Sequence, residues 1–424
     1  MADPKLLPPV HADVTERAQK LSEQEVVKAA LQAIVRDEKV TIADQIAITE
    51  VEAPPFHEKE RGLNLIERFK ALGLTDVTMD PEGNVIAIRR GTGNGPLLVL
   101  GAHQDTVFPA GTDVKVKEID GVFHGPGISD DARGLAVILQ VLRTMQEFDI
   151  QTVGDLYFVC TVGEEGNGDL RGSKYLFHKS GLPVDGFISV DGADVTRLLS
   201  AATGSKRYRV HFDGPGGHSW KNFGLPSAIH AMGRAIAKVG DVVPCADPKT
   251  TYTCGTISGG TTVNSIAAHC EMELDMRSAG AKELDEIEAK LLPLFEEACR
   301  EENARWGAEG EQAVKLTLEP IGHRPGGQQS DDVSVLQASR AAMKAVGIEL
   351  KKYDVASTDH NIAINCKVPA TTLGGGGTEG YNHNVKEWWD PTDSYQGPQL
   401  AFMTSLLLLG LKDVTEPVLE KIAR

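Results

Sequence analysis

Residues 97–105 read LLVLGAHQD, and they carry the strongest indication of the fold. A short aliphatic run that leads directly into His103 and Asp105 is typical of a buried strand in an α/β sheet, with polar side chains at the strand end. Similar runs occur at 84–88, 156–162, 187–190 and 370–373, and stretches with helical spacing of apolar residues separate them. This alternation predicts an α/β domain with a sheet flanked by crossover helices.

The pattern changes between residues 206 and 320. Strand signals at 208–212, 251–257, 267–276 and 314–318 alternate with helical signals at 227–239 and 282–302. The order β-α-β-β-α-β is that of a ferredoxin-like α+β unit. We therefore predict a discontinuous catalytic domain, residues 1–205 and 321–424, with an inserted lid domain at 206–320.

Composition excludes several classes of protein. The 424 residues carry 60 acidic and 43 basic side chains, a formal charge of −17, which disfavours binding to nucleic acid or to an anionic membrane surface. The six cysteines form no C-x-x-C pair and are expected to be reduced. The sequence shows neither a signal-peptide core after Met1 nor an apolar run of about eighteen residues. We expect a cytoplasmic protein.

Side chains that can bind a metal follow four of the buried runs. They are His103 with Asp105, Glu164 with Glu165, Asp191, and, after four glycines, His383. Ligands of open α/β sheets bind outside the carboxyl ends of the strands, so these side chains are expected to converge in one crevice. Each of them alone would suit a turn or a solvated surface equally well.

A fifth candidate is Asp130, in the stretch GPGISDDARG at 125–134 that opens a helix. Alone, Asp130 would also suit a helix N-cap. Two histidines and three carboxylates suit a pair of zinc ions, His103, Asp130, Glu165, Asp191 and His383 being the ligand set, with one carboxylate bridging the metals. A hydroxide between the metals would be the nucleophile and would balance their charge.

Two further roles complete this expected chemistry. Glu164, beside Glu165, can act as general base and later protonate the leaving amine. Asp105, two residues beyond His103, can accept the other ring N–H of that histidine.

These motifs resemble the di-zinc exopeptidase family that contains aminoacylases, carnosinase-like dipeptidases, carboxypeptidase G-like enzymes and peptidase T. The resemblance runs from about residue 40 through the inserted domain. It implies that His103 and Asp191 bind one zinc, that Glu165 and His383 bind the other, and that Asp130 bridges them. Cobalt or manganese would be substitutes for zinc. It also implies a homodimer formed through the lid domain.

The resemblance extends to three residues of the inserted domain. His218, in GPGGHSW, matches a lid-loop histidine that reaches the partner's active site, while Asn264 and Arg277 match residues that bind substrate. Arginine can hold a carboxylate through two parallel hydrogen bonds. The glycines at 374–377 are expected to let the backbone approach the substrate.

The resemblance also addresses specificity. An aspartate at position 191, within SVDG, is similar to peptidase T-like enzymes that release the N-terminal residue of di- and tripeptides. Ala132 and Arg133 depart from the family, which has lysine after the paired aspartates. Two alternatives stay open, namely a hydrolase of N-acyl or N-carbamoyl amino acids with the same metals, and a catalytically inactive binding protein of the same fold.

Overall fold

The computed structural model describes residues 4–423, which divide into two compact units. One comprises the chain up to Ala202 together with the segment from Gln328 onward, and the other is Thr203–Gly327. The helices are α1 (Ala12–Glu23), α2 (Glu25–Arg36), α3 (Glu38–Thr49), α4 (Lys59–Ala71), α5 (Ala132–Glu147), α6 (Arg171–His178), α7 (Ala228–Gly240), α8 (Ala281–Trp306), α9 (Ser334–Ala345), α10 (His360–Asn365) and α11 (Gln396–Leu409).

The strands vary from two to ten residues in length. In the first half of the chain they are β1 (Val77–Met79), β2 (Val85–Arg89), β3 (Leu97–His103), β4 (Lys117–Ile119), β5 (Val122–His124), β6 (Asp155–Thr161), β7 (Gly186–Val190), β8 (Arg197–Ala202) and β9 (Gly204–Asp213). In the second half they are β10 (Gly217–His218), β11 (Thr250–Gly259), β12 (Ser265–Ile266), β13 (His269–Ser278), β14 (Lys315–Arg324), β15 (Lys352–Ala356), β16 (Ala370–Leu373), β17 (Thr378–Gly380) and β18 (Trp388–Asp390).

The larger unit is built on an eight-stranded mixed sheet in the order β1-β2-β6-β3-β7-β16-β8-β15. Its centre, β6-β3-β7-β16, is parallel. Alternate residues of β3 lie in two apolar clusters: Leu98 and Leu100 pack with residues of α5 and α11, and Leu97 and Val99 pack with residues of α6 and α10. Helices therefore cover both faces of the sheet, which confirms the predicted α/β class.

The parallel centre positions the candidate site. β3 ends at His103, β7 ends one residue before Asp191, and β6 ends a few residues before Glu164 and Glu165. Because neighbouring parallel strands end at the same edge, these side chains emerge side by side.

The second unit has the element order β9-α7-β11-β13-α8-β14 and a four-stranded antiparallel sheet ordered β11-β13-β9-β14. Val210 and Met272 on one face of the sheet pack with Met232 of α7 and Phe295 of α8. This is the predicted ferredoxin-like arrangement. The unit comprises Thr203–Gly327, and the range predicted from the sequence was 206–320.

Across residues 4–423, helices that combine the length and the apolar character needed to cross a bilayer are absent.

Candidate metal centre

Asp130 lies between two histidines. Its Oδ1 is 3.0 Å from Nε2 of His103, and its Oδ2 is 3.0 Å from Nε2 of His383. One carboxylate thus presents one oxygen to each imidazole, which is the geometry of a bridging ligand. His383 also faces Glu165, with Nε2 2.9 Å from Oε1.

Helix α5 receives its N-cap from the neighbouring residue. The Asp131 side chain accepts hydrogen bonds from the backbone N–H of Gly134 and of His103, both at 3.0 Å. Asp131 therefore satisfies the helix start and ties it to the end of β3. The capping role that Asp130 alone could have had falls to its neighbour, and the Asp130 carboxylate faces the histidines instead.

Glu387 holds the loop that carries Asp130. Its buried carboxylate accepts backbone N–H bonds from Gly127 and Ser129, both at 2.9 Å, and from Asp130 at 3.1 Å. The pairing of β18 with β5 brings Glu387 to this loop. Sequence reasoning missed this residue, because the contact joins residues 257 apart in the chain.

Asp105 makes more contacts than the one with His103 that the sequence predicted. His103 Nδ1 lies 3.0 Å from the backbone oxygen of Asp105 and 3.7 Å from its carboxylate. The carboxylate oxygens also accept the backbone N–H groups of Glu164 at 2.9 Å and of Glu165 at 2.8 Å. Each oxygen is used by one N–H, so the side chain of Asp105 positions the two glutamates and its main chain faces the histidine.

Asp191 completes the site from the end of β7. Thr358, two residues before α10, donates its hydroxyl to Oδ2 of Asp191 at 2.8 Å. This contact restrains the carboxylate that faces the site. Thr358 is a second residue that sequence reasoning did not identify, because a single threonine near a helix start carries no specific pattern.

Three sets of potential metal ligands share residues in this cluster. His103, Asp130 and Asp191 form one set, Asp130, Glu165 and His383 form another, and His103, Glu164 and Glu165 form the third, with donor atoms in each set within 4.8 Å of one another. The first two sets are the groupings that the resemblance implied, and they meet at Asp130.

The electrostatics of the cluster fit divalent cations. Burial raises the pKa of Asp191 and of Glu165, and the nearby charge of Asp130 raises both further. Hydrogen bonds to Asp130 and Glu165 raise the pKa of His383 to about 11. Buried carboxylates that repel one another are stabilised by a cation. Imidazole and carboxylate donors are also the ones that zinc, cobalt and manganese accept.

The glycine stretch after β16 approaches the chain's own backbone. A Cβ on Gly374 would lie 2.3 Å from the carbonyl of Asp194, and one on Gly376, whose φ is +89°, would lie 2.3 Å from the carbonyl oxygen of Ser394. The buried guanidinium of Arg133 donates to the carbonyls of Gly375 and Ser394, at 2.7 and 2.6 Å. Arg133, where this sequence departs from the family pattern, therefore holds the backbone of this glycine stretch in place.

The three remaining candidates lie in the second unit. His218 in β10 is exposed, and it pairs with Ser265 of β12. The backbone oxygen of Asn264 accepts from Ser219 at 3.0 Å, next to His218. Arg277 is exposed near the end of β13 and donates Nε to Asp275 at 2.8 Å. Their predicted contacts with substrate stay predictions.

Comparison with known proteins identifies the family. The model of peptidase family M20/M25/M40 matches residues 99–404, more than half of the chain. The uncharacterized protein YqjE of Bacillus subtilis is 26% identical over 365 residues, 82% of this chain and 94% of that one. Acetylornithine deacetylase of Erwinia tasmaniensis is 28% identical over 258 residues, 56% of this chain and 64% of the relative.

Solved structures share the fold. A tripeptidase from Staphylococcus aureus superposes with a TM-score of 0.72 at 24% identity, covering 87% of this chain and 97% of that one. Aminopeptidase PepT from Bacillus cereus has a TM-score of 0.69 at 22% identity, with 87% and 98% covered. The predicted resemblance is confirmed: with its carboxylate and histidine cluster at the sheet edge, this chain is a hydrolase that belongs to peptidase family M20/M25/M40.

Proposed function

We propose that this chain is a two-metal aminopeptidase that hydrolyses short peptides and releases their N-terminal residue. The observation that supports the proposal most is the position of Asp130 between His103 and His383, because a carboxylate that reaches two imidazoles can bridge two cations. His103, Asp191 and Asp130 would hold one zinc ion, and Glu165, His383 and Asp130 the other. Bound cations of this kind make a coordinated water more acidic and stabilise negative charge on the carbonyl oxygen.

Glu164 is the group proposed to move the proton. Its side chain is 5% exposed, and it belongs to a set of donor atoms with His103 and Glu165. Asp105 fixes its backbone through Glu164 N–H. Glu164 takes a proton from the attacking water and returns it to the nitrogen of the leaving amine, so that no net proton is consumed by the base.

The remaining residues of the cluster position these groups. Thr358 restrains one oxygen of Asp191, and Glu387 restrains the backbone at Asp130. Reaction groups held in this way lose less entropy on reaching the transition state. The site can therefore bind its cations with the general base already in position.

The choice of short peptides rests on the aspartate at position 191 and on the sequence around it, which resemble peptidase T-like enzymes. The fold comparison agrees, since it includes a tripeptidase and an aminopeptidase. The second candidate is hydrolysis of N-acyl amino acids, which is favoured by the sequence similarity to acetylornithine deacetylase.

A panel of four substrates separates the two candidates. Leu-Gly-Gly, Leu-Gly, acetyl-Leu-Gly-Gly and acetyl-Leu are assayed with native enzyme, with chelated enzyme and after zinc is restored. Zinc-dependent cleavage of the free peptides alone is the expected result. Cleavage of the acetylated compounds alone would move the chain to the deacylase class, and no cleavage at any metal would contradict both.

We also propose that the active form is a homodimer in which His218, Asn264 and Arg277 contribute to substrate binding. A fully active chain that sediments as a strict monomer would contradict the part of this proposal that assigns His218 to the partner's site.

A further inference from the structure

Two histidines and two carboxylates alternate on one face of the sheet in the second unit. In the antiparallel pairing of β9 with β13, His211 lies opposite Glu271 and Asp213 lies opposite His269. The intervening residues of both strands, such as Phe212, point to the face that packs with α7 and α8. Strand geometry thus places two imidazoles and two carboxylates next to one another on the opposite face.

Glu271 is shared by both histidines. Its Oε2 is 3.6 Å from Nδ1 of His211 and 3.6 Å from Nε2 of His269. One potential ligand atom from each of the three residues lies within 4.8 Å of the other two. The ring centroids are 5.8 Å apart. Two nitrogens and one oxygen are therefore grouped as potential ligands of one ion.

The other nitrogen of each ring faces a different carboxylate. Nδ1 of His269 is 2.7 Å from Oδ1 of Asp213, and Nε2 of His211 is 3.3 Å from Oε2 of Glu319 on β14. Histidines that bind a metal almost always donate their second ring N–H to a carboxylate, a carbonyl or water. Both histidines here have that arrangement before any ion is considered.

We propose that His211, His269 and Glu271 bind a divalent transition-metal ion, with zinc as the expected ion, at a site separate from the catalytic cluster. Tetrahedral zinc with bonds of about 2.0–2.1 Å holds its ligand atoms about 3.3 Å apart. The two 3.6 Å distances therefore need shifts of only a few tenths of an ångström. Water completes the coordination, because the side chains of His269 and Glu271 are 47% and 40% exposed.

The bound ion would link β9 to β13. Asp213 and Glu319 would each accept the second ring N–H, which leaves Nε2 of His269 and Nδ1 of His211 as the nitrogens that face the metal. Without an ion, the same contacts would be ordinary contacts between histidine and carboxylate side chains across the strands. The two arrangements differ in one measurable property, the number of zinc ions that each chain retains.

Zinc content of the full chain, measured by elemental analysis after dialysis against a fixed concentration of free zinc, tests the proposal. The double substitution His211→Asn with His269→Asn is expected to lower the content by one ion per chain. The same double substitution in the Asp130→Ala background, where the catalytic cluster is impaired, is expected to remove one ion as well. A loss of one ion per chain in both backgrounds would show that this ion is not one of the proposed catalytic metals.

Three further variants sharpen the result. Glu271→Gln keeps the side-chain shape and is expected to lose the same ion, which provides a second reading if the double variant folds poorly. Asp213→Asn, which removes only an outer carboxylate, is expected to weaken zinc binding about 10- to 100-fold. His230→Asn is the matched control, because His230 lies 3.7 Å from a single glutamate, Glu302, and its loss should change nothing. Equal zinc content in the native chain, the double variant and Glu271→Gln would overturn the proposal.

Discussion

Asp105 gives the sharpest test of how the site is held together. Its side chain is fully buried, and each carboxylate oxygen accepts one backbone N–H, from Glu164 at 2.9 Å and from Glu165 at 2.8 Å. Burial alone would raise the pKa of Asp105, but His103 and the two N–H groups hold it below its usual range. The ionised form is therefore the form that the folded chain favours.

The substitution Asp105→Asn keeps the shape and removes one of the two acceptors. The amide NH₂ must then face a backbone N–H, which leaves a buried donor unsatisfied. Hydrogen bonds to charged groups contribute about 1.5–3 kcal/mol each, so we expect the local opening of this loop to become easier by about 2–3 kcal/mol. That corresponds to a roughly 30- to 150-fold faster exchange of the Glu164 and Glu165 amides.

Hydrogen exchange of the metal-free chain, followed by mass spectrometry of peptides that span 162–168, measures this change directly. Asp185→Asn is the control: it makes the same chemical change at a buried carboxylate whose two oxygens accept the backbone N–H groups of Leu97 at 2.8 Å and of Ile422 at 2.9 Å. The control should leave exchange at 162–168 unaltered. If exchange at 162–168 were equally fast in Asp105→Asn and in the native chain, Asp105 would not be the residue that positions the two glutamates.

The other predictions concern the base, the bridging carboxylate, the loop anchor and a buried histidine. Glu164→Ala should lower kcat about 100-fold or more while the metal content, measured by elemental analysis, stays near native. Asp130→Ala should lose both turnover and metal in the same measurements, and retention of both would contradict a bridging role. Glu387→Gln should weaken metal affinity about 10- to 100-fold in a chelator competition, because the backbone at Asp130 is no longer held. His360 is buried, and burial lowers its pKa to about 4 from an ordinary 6.5. As pH falls from about 6.5 towards 4, the unfolded chain binds a proton at His360 before the folded chain does, and the folded state is destabilised. In urea unfolding, the free energy of unfolding of the native chain should fall by about 3 kcal/mol more than that of His360→Gln over that range.

The strands that carry the site could be predicted to within a residue or two at most ends. The run at 97–100 became the core of β3, and those at 187–190 and 370–373 correspond to β7 and β16. These runs are apolar on both faces because helices cover both faces of the sheet, and that pattern is visible in the sequence alone. Charged or histidine residues after such runs, together with Asp130 at the start of a helix, pointed to the carboxyl edge. The structure brings His103, Asp130, Glu165, Asp191 and His383 together there.

The short strands could not be predicted in the same way. β4, β5, β17 and β18 have three residues each, too few to show a period of two. Their pairing into one small sheet, in the order β17-β18-β5-β4, was not predicted. That sheet is what brings Glu387 to the loop of Asp130.

Strand and helix periodicity and the chemistry of strand ends are local properties. They were therefore enough to predict the fold class, the inserted unit and the cluster of His103, Asp130, Glu165, Asp191 and His383. Which carboxylate oxygen accepts which N–H depends on the tertiary structure. Asp130 and Glu387 are 257 residues apart, and the side chain of Asp105 holds two glutamates in addition to its contact with His103. Contacts of this kind depend on the pairing of distant strands and on the filling of each buried hydrogen-bonding position, and no local pattern records them.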